Sequence, residues 1–88
     1  MYKLEYSKAF KKSLKKLASN EQRMVASKLK ILIENPLHPS LRTKKVQRFK
    51  DVYESSVNMD IRILWMYKDN RLILLLNIGH HDLLENRD

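Results

Sequence analysis

The sequence predicts an α+β fold of order β-α-α-β-β-β, with a helical hairpin packed on one face of a mostly antiparallel sheet. Three observations carry this. Tyr2, Leu4 and Tyr6 alternate with Lys3 and Glu5; two stretches of helical period follow, broken at Ala18-Ser19-Asn20; and the second half holds three runs rich in β-branched and aromatic residues, separated by short polar turns. One strand, two helices and a meander bury their apolar faces as two layers around one core.

The first strand is the period-two segment Tyr2 to Tyr6. Ser7 stands at the N-cap position of the next element, where its hydroxyl can accept from a free helical amide. From Lys8 to Leu17 the apolar residues Phe10, Leu14 and Leu17 recur at helical spacing, while Lys8, Lys11, Lys12, Lys15 and Lys16 occupy the other faces. A second helix is expected to start at an Asn20 cap, with Glu21 in its acidic first turn. Val25, Leu29 and Leu32 form its stripe, and Asn35-Pro36 ends it.

The stretch PLHPSLRTKKVQRFK shows little periodicity, holds both prolines and reads as an exposed connecting loop, His38 included. Val52 to Val57, Ile61 to Tyr67 and Leu72 to Ile78 then form the meander, with turns at Asn58-Met59-Asp60 and Lys68-Asp69-Asn70-Arg71. In the middle strand Ile61, Ile63, Trp65 and Tyr67 share the core face, leaving Arg62, Leu64 and Met66 on the other. The last strand is apolar on both sides and is expected to be central or covered.

With 88 residues there is room for one domain, spanning 1–88, and none for a second core. No cysteine is present, which excludes a disulfide framework and a thiolate metal site and points to the cytosol. No apolar run approaches the roughly 18 residues of a membrane span. Eighteen Lys and Arg against ten Asp and Glu leave a net charge of +8, which favours a polyanionic partner over a merely solubilising surface. Arg42, Lys44, Lys45 and Arg48 are the candidate RNA-binding cluster, placed by the topology beside the open sheet face.

Two segments, ENPLHPSLRTKKVQRFKDVYE and DIRILWMYKDNRLILLLNIGHHD, together with the element order, resemble the RelE/ParE superfamily of toxins from bacterial type II toxin–antitoxin pairs. The first looks like that family's loop between its second helix and second strand, the second like its closing hairpin. Members on the RelE and YafQ side are ribonucleases (mRNA interferases) that cut messenger RNA on the ribosome, whereas the ParE side poisons DNA gyrase. The resemblance therefore implies an endoribonuclease that inhibits translation. Its alternative is a ParE-like gyrase poison or a catalytically inactive binding protein of the same fold. It also implies a cognate antitoxin, contact with messenger and ribosomal RNA, and operator DNA reached only through the antitoxin complex. The lysines of the first helix are expected to meet ribosomal RNA or an acidic antitoxin.

In ribonuclease members the concave sheet face and the C-terminal end carry the catalytic groups, which here are Arg62 and His80-His81-Asp82. Metal-free cleavage needs a base for the 2′-hydroxyl, an acid for the leaving 5′-oxygen and a cation for the phosphorane-like transition state. Either histidine can be acid or base, with Arg62 as phosphate clamp. His80 and Asp82 match the YafQ-type ending, in which an aromatic follows the histidine by four; Leu84 stands in its place. Asp60 matches an acidic catalytic position of that subfamily, with Ser56 where it keeps a histidine. Against RelE, Arg62 matches a strand arginine that contacts phosphate and His81 falls near another arginine. Glu54 and Ser56 replace two strand lysines, and Glu54 can act as base in their stead. No cofactor or metal is expected, because adjacent histidines on an extended chain point apart.

Overall fold

Ser7 closes one element and opens the next. Strand β1 (Lys3–Tyr6) ends there and helix α1 (Lys8–Lys15) begins, with the Ser7 side chain accepting from the Phe10 amide at 3.0 Å. The same hydroxyl donates to the Leu76 carbonyl at 2.8 Å, which fixes the start of α1 to the sheet. Phe10 is thereby driven wholly into the core, while the lysines of α1 face solvent. The computed structural model describes residues 1–81.

Helix α2 (Ser19–Glu34) is capped two residues before the expected Asn20. Ala18 occupies the N-cap position and has no side-chain acceptor; instead the Glu21 carboxylate reaches back to accept from the Ala18 amide at 2.9 Å. Asn20 lies inside the helix. Gln22 binds the Leu14 and Leu17 carbonyls at 3.0 and 3.1 Å, sealing the end of α1 and setting the helical hairpin. The Tyr2 amide donates to the Ile33 carbonyl at 2.9 Å, so the end of α2 is tied back to the start of the chain.

The segment after α2 is more ordered than its sequence suggests. Pro39–Leu41 form a 3₁₀ turn capped by His38, whose Nδ1 accepts from the Ser40 amide at 3.1 Å. Leu41, 1% exposed, belongs to the core, and Pro36 is buried too. Strand β2 (Lys44–Lys45) then pairs with β3 (Tyr53–Ser56), so part of the predicted loop is a fifth strand. Strands β4 (Ile61–Tyr67) and β5 (Leu72–His80) complete a five-stranded sheet of order β1-β5-β4-β3-β2, in which only β1 and β5 run parallel.

Ile61, Ile63 and Trp65 on β4 and Ile73, Leu75 and Ile78 on β5 are all at most 2% exposed and face the helices. Their numbering reveals a change of phase, because Leu75 and Ile78 differ in parity yet share a face. The cause is a β-bulge: Leu64 pairs with Asn77 and Trp65 with Leu75, leaving Leu76 as an extra residue on β5. Below the core, Trp65 Nε1 donates to Ser55 Oγ at 2.8 Å, and that hydroxyl also meets Thr43 Oγ1 at 2.7 Å. Thr43 Oγ1 lies 2.7 Å from the Pro36 carbonyl, so one polar chain joins β4, β3 and the 3₁₀ segment.

Candidate functional site

Arg62 lies on the sheet face turned away from the helices, between Ser56 on β3 and Gly79 on β5. Its Nη1 donates to the Asn58 carbonyl at 2.7 Å and to the Ile61 carbonyl at 3.2 Å, which bends the guanidinium around the β3–β4 turn. That turn is shaped by Asn58, whose Oδ1 accepts from the amides of Asp60 and Ile61, both at 2.8 Å. Both bonds from Arg62 use Nη1. The Nε and Nη2 donors, the edge suited to bidentate oxyanion binding, make no hydrogen bond to a described residue.

The two histidines part company. His80 is still in β5 and pairs with Ile61, on the helix side, where its Nε2 sits 3.7 Å from Glu21 Oε2 at the start of α2. The expectation that both histidines leave the strand beside Arg62 is corrected for His80. Without the bulge, the alternation that buries Ile73 and Leu75 would bring His80 to Arg62's face; the extra residue Leu76 reverses it. His81 follows the last residue of β5, and its amide donates to the Asp60 carbonyl. Asp60 and His81 thus meet through the backbone at the end of the sheet where Arg62 stands, with His81 half-buried and Asp60 exposed. Asp82 and Leu84 lie outside the described residues.

Glu54 stands further along the same face, opposite Leu64 and Lys44, and is only 6% exposed; Lys44 Nζ approaches its Oε1 at 3.6 Å. The loop cations do not form one patch. Lys44 is engaged with Glu54, Lys45 is opposite Tyr53 and so takes the other face, and Arg48 packs over the Phe49 ring at 5.4 Å. Phe49, Lys50 and Val52 fold over the open face and, with Leu64 and Leu76, enclose an apolar hollow of about 450 Å³.

Arg42 is separate again. It lines a cleft of about 330 Å³ with Lys28, Ser40, Ser56, Asn58 and Arg62. Lys28 was not singled out by the sequence, although one signal exists: it follows Val25 by one helical turn and flanks the buried stripe of α2. Among the described residues no cluster of three or more His, Asp or Glu side chains could hold a metal ion. No helix among them is long and apolar enough to cross a membrane.

The family model described as "Bacterial toxin of type II toxin-antitoxin system, YafQ" matches residues 2–86. The chain belongs to the YafQ toxin family. Among solved structures it is similar to YafQ from E. coli strain BL21(DE3), with a TM-score of 0.78 at 20% identity over 96% of this chain and 98% of that one. A metal-bound toxin from Helicobacter pylori gives 0.77 at 27% identity, covering 96% and 99%. The archaeal RelE–RelB complex from Pyrococcus horikoshii OT3 gives 0.73 at 21% identity, covering 99% and 98%. No curated protein matches. The YafQ-family chain is thus a type II toxin of the RelE/YafQ fold, with two helices on a mostly antiparallel sheet as the sequence predicts and β2 as a fifth strand beyond that prediction.

Proposed function

We propose that this YafQ-family toxin is an endoribonuclease that cleaves messenger RNA by side-chain acid–base catalysis and so inhibits translation. The observation that carries the reading is the bidentate edge of Arg62, which bonds no described residue, at the end of the sheet where the His81 amide meets Asp60. Arg62 grips two non-bridging oxygens of the scissile phosphate and offsets the charge that grows there in the transition state. Glu54 takes the 2′-hydroxyl proton, the 2′-oxygen forms a bond to phosphorus, and the bond to the 5′-oxygen breaks. His81 supplies the proton for that leaving oxygen. Asp60, whose backbone carbonyl accepts from the His81 amide, serves to orient the histidine's imidazole.

The partners follow from the same reading. The excess of 8 positive charges favours ribosomal and messenger RNA, with Lys45 exposed on the β2 edge. A cognate antitoxin is supported by the type II family and by the RelE–RelB complex, whose toxin chain shares the fold. Action on the ribosome, in the cytoplasm, with operator DNA reached through the antitoxin, completes the proposal. Induced expression with primer-extension mapping tests it: translation arrest with defined messenger RNA ends is expected, lost in Arg62→Ala. DNA breakage with intact messenger RNA would instead select a gyrase poison, and normal growth an inert binding protein.

A further inference from the structure

Lys28, Arg42 and Arg62 come from α2, the end of the 3₁₀ turn and β4, and all three line the same cleft of about 330 Å³. That size falls in the range of small-ligand sites, about 300–1,000 Å³. None of the three pairs with a carboxylate among the described residues. Like charges gathered from three elements repel one another, and an anion between them removes that repulsion. The lining adds two hydroxyls, Ser40 and Ser56, either of which can donate to an oxyanion.

The cleft is also built rather than accidental. Arg42 holds a left-handed backbone, φ 48° and ψ 44°, in which a non-glycine residue is strained. Its amide donates to the Pro39 carbonyl at 3.2 Å, and the next residue, Thr43, is anchored to Pro36 and Ser55. The side chain of Arg42 is therefore presented from a fixed support. Arg62 lines this cleft and is also the phosphate clamp of the proposed cleavage site, so the two sites adjoin at Arg62.

We infer that this cleft is a second phosphate subsite, in which Lys28 and Arg42 hold the RNA backbone phosphate neighbouring the one clamped by Arg62. The inference rests on the ribonuclease reading and adds the path of the bound strand. A cleft whose lining brings together three cations and two serines suits successive phosphates of a single strand, whose charges recur at the spacing of one nucleotide.

The test uses the full chain carrying His81→Ala, so that binding is read without cleavage, and a fluorescent single-stranded RNA oligonucleotide. Adding Lys28→Ala and Arg42→Ala should weaken binding and lower the slope of log affinity against log salt by roughly 0.7 per lost phosphate contact. A control pair, Lys3→Ala with Lys30→Ala, removes equal charge from exposed positions outside the cleft. In the cleavage-competent chain the cleft pair should raise KM more than it lowers kcat, with thermal melts showing that the variant folds. A slope and KM equal to the control pair's would overturn the subsite, and cleavage that still depends on Arg62 would leave the ribonuclease reading standing. Oligonucleotide binding that needs Lys28 and Arg42 in a parent chain that cleaves nothing would support the phosphate cleft and remove the ribonuclease reading. Unchanged RNA binding with weakened antitoxin binding overturns the subsite in favour of an acidic protein contact.

Discussion

Gly79 stands directly opposite Arg62 in the β4–β5 ladder. It is the chain's only glycine, yet its φ is not positive, so conformational freedom is not what the position requires. The useful property is the missing side chain: across from Arg62 nothing rises from the sheet, and a phosphate held on the Nε–Nη2 edge has room. Gly79→Val should keep the fold, since a β-branched residue suits a central strand, while displacing the substrate. A shift of about 1 Å can cost about 10²-fold in rate, and a loss of that order is expected in a cleavage assay. Wild-type activity in a well-folded Gly79→Val chain would show that the space over Gly79 is not used.

The pairing of His80 with Glu21 on the helix side separates its role from that of His81. His81→Ala should lower cleavage by about 10²- to 10⁴-fold, the usual contribution of a positioned acid or base. His80→Ala removes only a half-exposed contact with Glu21 and should leave the rate within a few-fold, with a stability change of about 0.5 kcal/mol or less. Single-turnover rates on one RNA substrate, with urea melts alongside, compare the two. A larger loss at His80 would mean that the helix side of β5 carries the chemistry.

That difference between neighbours also marks how far the sequence could be read. The alternation of Ile61, Ile63 and Trp65, the Ser7 cap and the central last strand are local or strongly patterned, and the structure agrees with each. The bulge at Leu76 left no trace, because Leu72 to Leu76 is apolar on both faces and a uniform run carries no phase. Hence Arg62 could be assigned to a face from sequence and His80 could not. Strand β2 has two residues, too few for any period, and Leu41 enters the core as a single apolar residue among polar ones. Lys28 looks like any solvated lysine beside a stripe until the 3₁₀ turn is seen to fold against α2.

Ser55 is the buried hydroxyl on which two elements depend. It accepts from Trp65 Nε1 and meets Thr43 Oγ1, at 1% exposure. Ser55→Ala would strand a buried indole N–H and a hydroxyl contact, a desolvation cost of about 1–3 kcal/mol. The urea midpoint should fall accordingly with the m-value unchanged. Because Thr43 supports the segment that presents Arg42, RNA affinity should fall in the same variant. An unchanged midpoint would show that water or another group replaces the serine.

Tyr67, at the end of β4, packs against Trp65, Tyr53 and Tyr2, with ring centroids 5.0, 5.6 and 5.7 Å away. Partial burial raises its hydroxyl above the ordinary 10.0, and the neighbouring Tyr2 and Tyr53, with a hydrogen bond to Tyr2, push the same way. In the unfolded chain the phenol loses its proton near 10.0, whereas the folded chain holds it to higher pH. Above that point the folded state binds more protons than the unfolded one, so stability falls with rising pH. The contribution is complete below pH 10 and is lost as pH climbs through the folded value. Tyr67→Phe removes this linkage, and its thermal midpoint should decline less steeply above pH 10 than that of the parent chain. Every other titratable group is common to both proteins, so the difference between the two curves isolates the tyrosine. Parallel curves, or an ultraviolet titration in which Tyr67→Phe loses an ordinary phenol, would show that the cluster does not hold the proton.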